Sequence, residues 1–147
     1  MADTTTRTFP LTVRYDRTIE ESIVAGKYDF VSPNINDRFF TNTRQGESQL
    51  EAVLVKFNGF IAPNNIVSEL NRLGLRAGEL HELLDFGEQY PQAQRKHPIV
   101  AAGNPAAINE NYFVPYLSER GGERALVTGV WGNGNWKGYN YFLAFSK

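Results

Sequence analysis

Apolar and polar positions alternate from Thr8 to Tyr15, with Phe9, Leu11, Val13 and Tyr15 on one side. This predicts a short strand, and Pro10 places it at a sheet edge or at its start. The period changes at Thr18-Ile-Glu-Glu21, which has capping-box order; Ile19, Ile23 and Val24 then line one face of a short helix that Gly26 ends. Residues 28–49 are polar and turn-rich, a long surface connection held down by Phe39 and Phe40. A connection of that length leaves room for a short helix or strand. Leu50 to Ile61 is apolar on both faces and predicts a central strand. Pro63 opens a helix with a stripe of Ile66, Val67, Leu70 and Leu73, closed by Gly74. A second helix runs from about Glu79 to Gln89 with Leu80, Leu83, Leu84 and Phe86 inward. Its acids Glu79, Glu82, Asp85 and Glu88 recur every third residue and predict a solvated face, with His81 pairing Asp85 across one turn. His97 to Gly103, Tyr112 to Leu117 and Ala125 to Val130 read as strands, and Asn140 to Phe145 as a last strand that pairing must hold.

The order of elements is that of an α+β protein in one compact domain: an N-terminal extension, 1–49, with a short strand and helix, and a body, 50–147. A chain of 147 residues is long enough for one core. Fifteen Lys and Arg against sixteen Asp and Glu leave no global field, which argues against nucleic acid as a partner. Cysteine is absent, so disulfides, thiolate nucleophiles and cysteine-ligated zinc fall away together, and the two histidines stand apart in the sequence. No metal or cofactor is expected. No apolar run reaches the roughly 20 residues of a membrane span, and Met1 to Arg7 lacks the apolar core of a signal peptide. A cytoplasmic or particle-borne location is the default expectation.

Candidate chemistry concentrates in the last quarter of the chain. Trp131, Trp136 and Tyr139 are interleaved with Gly132, Asn133, Gly134, Asn135, Gly138 and Asn140. Large flat rings among adaptable hydrogen-bonding residues resemble a binding surface. Asn133, Asn135, Trp136, Lys137, Tyr139 and Tyr141 are the expected contacts to a protein or carbohydrate ligand, with Arg120, Arg124 and Lys137 as local positive charge. Against this stands a packed turn, in which both tryptophans are buried and the glycines and asparagines serve backbone geometry. Gly132-Asn-Gly134 lacks the following helix and Gly-Lys-Ser/Thr of a phosphate loop.

A strand, two helices and short strands, with the last strand returning toward the first, resemble the C-type lectin-like fold. Leu73-Gly-Leu-Arg-Ala-Gly-Glu-Leu-His-Glu-Leu-Leu84 looks like the Gly-x-Arg-Leu-Pro-Thr-x-x-Glu segment of its formylglycine-generating-enzyme branch, matching at Gly74, Arg76 and Glu79 or Glu82 but lacking Leu-Pro-Thr. Trp131 and Trp136, followed by Tyr139 to Phe145, look like that branch's paired tryptophans and closing strand. The branch includes the variable proteins of diversity-generating retroelements, and the chain also resembles uncharacterised proteins of phages and small-genome bacteria. The resemblance implies a ligand-binding C-terminus. It does not carry the formylglycine reaction, which uses a cysteine pair. Trp131-Gly132-Asn133 stands where calcium-dependent lectins carry Trp-Asn-Asp, and this argues against their calcium site.

The expected function is therefore non-catalytic recognition through Thr128 to Tyr141, not an enzyme. Two alternatives remain open. One is a structural or assembly protein of a particle, gripping a neighbour through residues 1–49, with a homo-oligomer in view. The other is a small hydrolase using the carboxylates near His81.

Overall fold

The computed structural model describes residues 4–132 and 134–147. Three helices, α1 (Ile19–Gly26), α2 (Pro63–Arg72) and α3 (Leu80–Gln89), flank a sheet built from β1 (Thr4–Arg14), β2 (Phe30–Val31), β3 (Glu47–Phe57), β4 (Leu75–Ala77), β5 (Ile99–Val100), β6 (Ala106–Ile108), β7 (Asn111–Arg120), β8 (Glu123–Trp131) and β9 (Tyr141–Ser146). The described strands form one sheet in the order β1-β3-β9-β5-β7-β8-β2, with β4 also on β9 and β6 on β7. The protein is a single α+β domain. None of its described helices is long and apolar enough to cross a membrane.

The last strand sits in the middle. β9 is antiparallel to β3, parallel to β5 along Tyr141 and Phe142, and antiparallel to β4 along Ala144 to Ser146. Its sequence explains this position, because Tyr141 to Phe145 is apolar on both faces and both faces are covered. On one face Leu54, Leu143, Phe145, Leu117 and Leu126 pack with Ile19 of α1 and Leu83, Leu84 and Phe86 of α3. On the other, Val53, Val55, Phe57, Phe142 and Val114 pack with Ile66 and Leu70 of α2.

Residues 4–49 are not an extension from this body. β1 pairs with β3 over its whole length, from Thr4↔Phe57 to Arg14↔Glu47, and places Leu11 and Val13 in the main core. β1 is an edge strand, as Pro10 requires, but half of its free edge is covered. Gln89 accepts from the Thr12 amide (3.1 Å) and donates to the Thr12 carbonyl (2.7 Å), a side chain standing in for the missing strand. Asp85 accepts from the Arg14 amide (2.8 Å), and the Tyr90 hydroxyl donates to the Pro10 carbonyl. The helix thereby blocks the pairing that a long bare edge invites.

Two local expectations change. Val24 points into solvent, and Lys27, not Gly26, takes the left-handed cap of α1 at φ 53°. Leu75–Ala77 and Ala106–Ile108, too short to show a period, are strands made by their neighbours. The connection of residues 28–49 does hold a short strand, one of the alternatives it left room for: β2, parallel to β8.

Candidate functional site

The loop between β8 and β9 is fastened at its middle. Trp136 and Ile61 exchange backbone hydrogen bonds, Ile61 N–H to Trp136 O at 2.9 Å and Trp136 N–H to Ile61 O at 2.8 Å. Gly138 lies so close to the preceding turn that an added Cβ would stand 2.7 Å from the Gly59 nitrogen, so glycine is required there by contact. Asn140 is buried and donates from its side chain to the Lys137 carbonyl at 3.0 Å, closing the loop onto β9.

The tryptophans hold this arrangement from below. The Trp136 ring lies 5.9 Å from Trp131, 6.2 Å from Tyr116 and 6.1 Å from Phe142, edge-on to the last two. Both tryptophans are half-buried against the α2-side core. Trp136, expected as a ligand contact, is thus the loop's anchor, and part of the packed-turn reading holds within the same segment.

What the loop offers to solvent is smaller than the sequence suggested. Asn135 and Lys137 are exposed, and Tyr139 is 51 % exposed with the Lys137 ammonium 5.9 Å from its ring centroid. Asn133 lies outside the described residues. Phe60, 70 % exposed on the turn that Ile61 ties to Trp136, adds a second aromatic to this surface, and the sequence reading missed it. Its signal was the Asn58-Gly59-Phe60 turn between strand and Pro63, where an aromatic has no core to join. A shallow recess of about 200 Å³ between Asn135 and Pro63 joins the two turns. Tyr112, also exposed, pairs with Trp131 where the loop leaves β8.

Tyr141 does not belong to this surface. It is 8 % exposed, faces the α3 side of the sheet, and meets the His97 ring edge-on at 5.1 Å. Two of the expected cations are elsewhere as well. Arg120 sits at the far end of β7, beside the turn to β8. Arg124 is buried, donates to the carbonyls of Gly26 (2.7 Å) and Gly87 (2.7 Å), and stacks on Tyr28, tying β8 to α1 and α3. Lys137 alone of the three is at the loop.

The acidic face of α3 is the largest departure from expectation. Glu82 and Asp85 are fully buried, and His81 nearly so. Glu82 takes a bidentate Arg76 (3.1 and 2.7 Å), the Tyr15 hydroxyl (2.6 Å) and the Glu79 amide (2.8 Å). Asp85 takes Arg17 and the Arg14 amide, and Glu88 shares Arg17 at 2.7 Å. A period-three row of acids faces solvent only if nothing covers it; here β1 and the chain after it lie across the helix and bring the Arg14 amide, Arg17 and Tyr15, and β4 brings Arg76. Burial pushes the Asp85 carboxyl up against the pull of its donors, pushes the Tyr15 phenol up with help from Glu82, and holds the His81 imidazole down. All four carboxylate oxygens of Glu82 and Asp85 hold hydrogen bonds within the protein, and both side chains are closed off from solvent.

Among the described residues no group of three His, Asp or Glu side chains is placed to hold a metal ion. Comparison with protein families, curated proteins and solved structures finds no match.

Proposed function

We propose that this chain is a non-catalytic recognition protein whose contact surface is the β8–β9 loop together with the turn before α2. One observation carries the reading: Phe60 and Tyr139 are held out in solvent by a loop that is itself rigidly tied, through Trp136 to Ile61 and Gly138 to Gly59. Exposed rings cost hydration free energy and are retained where a partner covers them. A fixed scaffold also lowers the ordering cost of binding. Asn135, Lys137, Tyr139 and Phe60 make the contacts, and the flat rings with an amide and a cation suit a carbohydrate face or a protein loop. Within this reading the C-type lectin-like assignment is the finer proposal. Its support is the last strand paired beside β3, the two following helices and the tryptophan pair under the loop.

The test is binding of the purified protein to a glycan array and to a protein array, with Tyr139→Ala/Lys137→Ala in parallel. The reading expects saturable binding to one class, lost in the double variant while Tm moves by less than about 2 °C. Binding indifferent to both substitutions contradicts it.

Assembly of a particle remains the second reading because Val24, 76 % exposed, and Phe30, 49 % exposed, stand on the N-terminal third. Trimming that third would remove β1 from the core, so the discriminating change is Val24→Asp/Phe30→Asp. Assembly requires a concentration-dependent mass that this variant loses.

A further inference from the structure

Beyond that surface, we propose that the cleft at the C-terminal end of α3 is a binding site for a small apolar anion, a flat or aliphatic carboxylate. The cleft encloses about 370 Å³, within the range of small-molecule sites. Its floor is apolar: Phe9 of β1, Leu54 of β3, Ile99 of β5 and the ring of Tyr141 of β9. Its rim is basic. Arg7, Lys96 and His97 line it, and Lys56 stands beside Tyr141 in the β3–β9 register, on the same face.

Among the described residues no Asp or Glu lines the cleft, although the chain carries sixteen of them and a net charge of −1. Among the described residues six arginines outside the cleft find carboxylates, Arg14, Arg17, Arg44, Arg72, Arg76 and Arg95, while Arg38, Arg120 and Arg124 do not. Among the described residues Arg7, Lys56 and Lys96 form no ion pair, and Arg7 has only the Phe9 ring below it, at 5.4 Å. Two of the neutral polar side chains of the wall are already committed, Gln89 to both backbone groups of Thr12 and the Tyr90 hydroxyl to the Pro10 carbonyl, which leaves Gln92 as the neutral one with capacity to spare. Apart from Gln92, the unspent polar capacity is therefore cationic, set above an apolar floor. A neutral apolar molecule would use only the floor, and an inorganic anion only the rim. An apolar carboxylate uses both, with the Arg7 fork matching its two oxygens.

The test is a titration of ¹⁵N-labelled protein with naphthalene-2-carboxylate, 2-naphthamide and 2-naphthylmethylammonium, following amide shifts. The carboxylate is expected to shift Phe9, Ala93, Ile99 and Tyr141 with a Kd about tenfold below that of the amide, with the ammonium weakest. Arg7→Gln/Lys96→Gln, both at exposed positions, is expected to weaken the carboxylate by about the same tenfold and leave the amide unchanged. Equal affinity for the three probes, shifts confined to other residues, or no shift at millimolar probe overturns the proposal. These outcomes are independent of binding at the β8–β9 loop.

Discussion

Glu82→Gln is nearly isosteric, yet it removes the charge at the centre of the most buried polar cluster in the protein. The carboxylate is inaccessible to solvent and receives four hydrogen bonds, two from Arg76, one from Tyr15 and one from the Glu79 amide. An amide keeps one acceptor and presents an N–H₂ to donors, so at least one donor pair clashes and Arg76 loses its counter-charge. Removing one partner of a buried pair costs about 3–5 kcal/mol. Arg76 keeps 23 % of its side-chain surface in water and still stacks on Phe145 at 4.9 Å, which points to the lower end. At about 3 kcal/mol and about 3 °C per kcal/mol for a chain of this size, Tm falls by roughly 9 °C. The assay is thermal unfolding by circular dichroism, in a cycle with Arg76→Met and the double variant. The double variant should lose less than the sum of the singles, because it leaves neither charge uncompensated. A Tm drop under about 2 °C for Glu82→Gln would refute the clamp. It would also reopen the α3 carboxylates as functional groups.

Trp136→Ala removes the ring that supports the loop and should cost about 3 kcal/mol, whereas Tyr139→Ala should change unfolding free energy by less than about 0.5 kcal/mol in denaturant melts. The reverse ranking would exchange their roles as anchor and contact. Burial holds the His81 imidazole below its ordinary 6.5, so its neutral form contributes stability present above that pH and lost as pH falls through the lowered value, the unfolded chain taking up a proton that the folded chain refuses. Wild type should therefore lose more Tm than His81→Gln between about pH 7.5 and about pH 5.5, and parallel profiles would contradict the buried neutral ring. Gln89→Ala uncovers the Thr12 backbone on the β1 edge; about 1–2 kcal/mol of stability should go, with more concentration-dependent light scattering than wild type. A variant that scatters no more than wild type and is equally stable would show the edge to be protected otherwise.

Elements with a sustained period were legible. The capping box at Thr18 and Glu21, the central strand before Pro63, the leucine side of α3 and the paired last strand all follow from local pattern. Of the elements of two or three residues, β5 was legible within the longer strand read at His97 to Gly103, whereas β4 and β6 were not and β2 was only allowed for, because these exist only through the strands they join. The α3 acids misled for a related reason. Glu82 and Asp85 are paid for by Arg76, Arg17 and Tyr15, and the sequence does not say which residues the chain folds over a helix. At the site, composition located the loop but could not separate Trp136, held underneath, from Tyr139, held outside, nor see that one more residue of strand turns Tyr141 to the opposite core. Phe60 stands beside a pairing between Ile61 and Trp136 whose partners lie about half the chain apart in sequence.

The most direct test of the recognition surface is to sequence the codons for residues 57–62 and 126–147 across the population from which the chain comes. The account predicts that substitutions concentrate at Phe60, Asn135, Lys137 and Tyr139, while Trp131, Trp136, Gly138, Asn140 and Phe142, which build the support, stay fixed. Variation spread evenly along the segment, or reaching Trp136 and Gly138 as often as Tyr139, would contradict the assignment of the loop as a contact surface on a fixed scaffold.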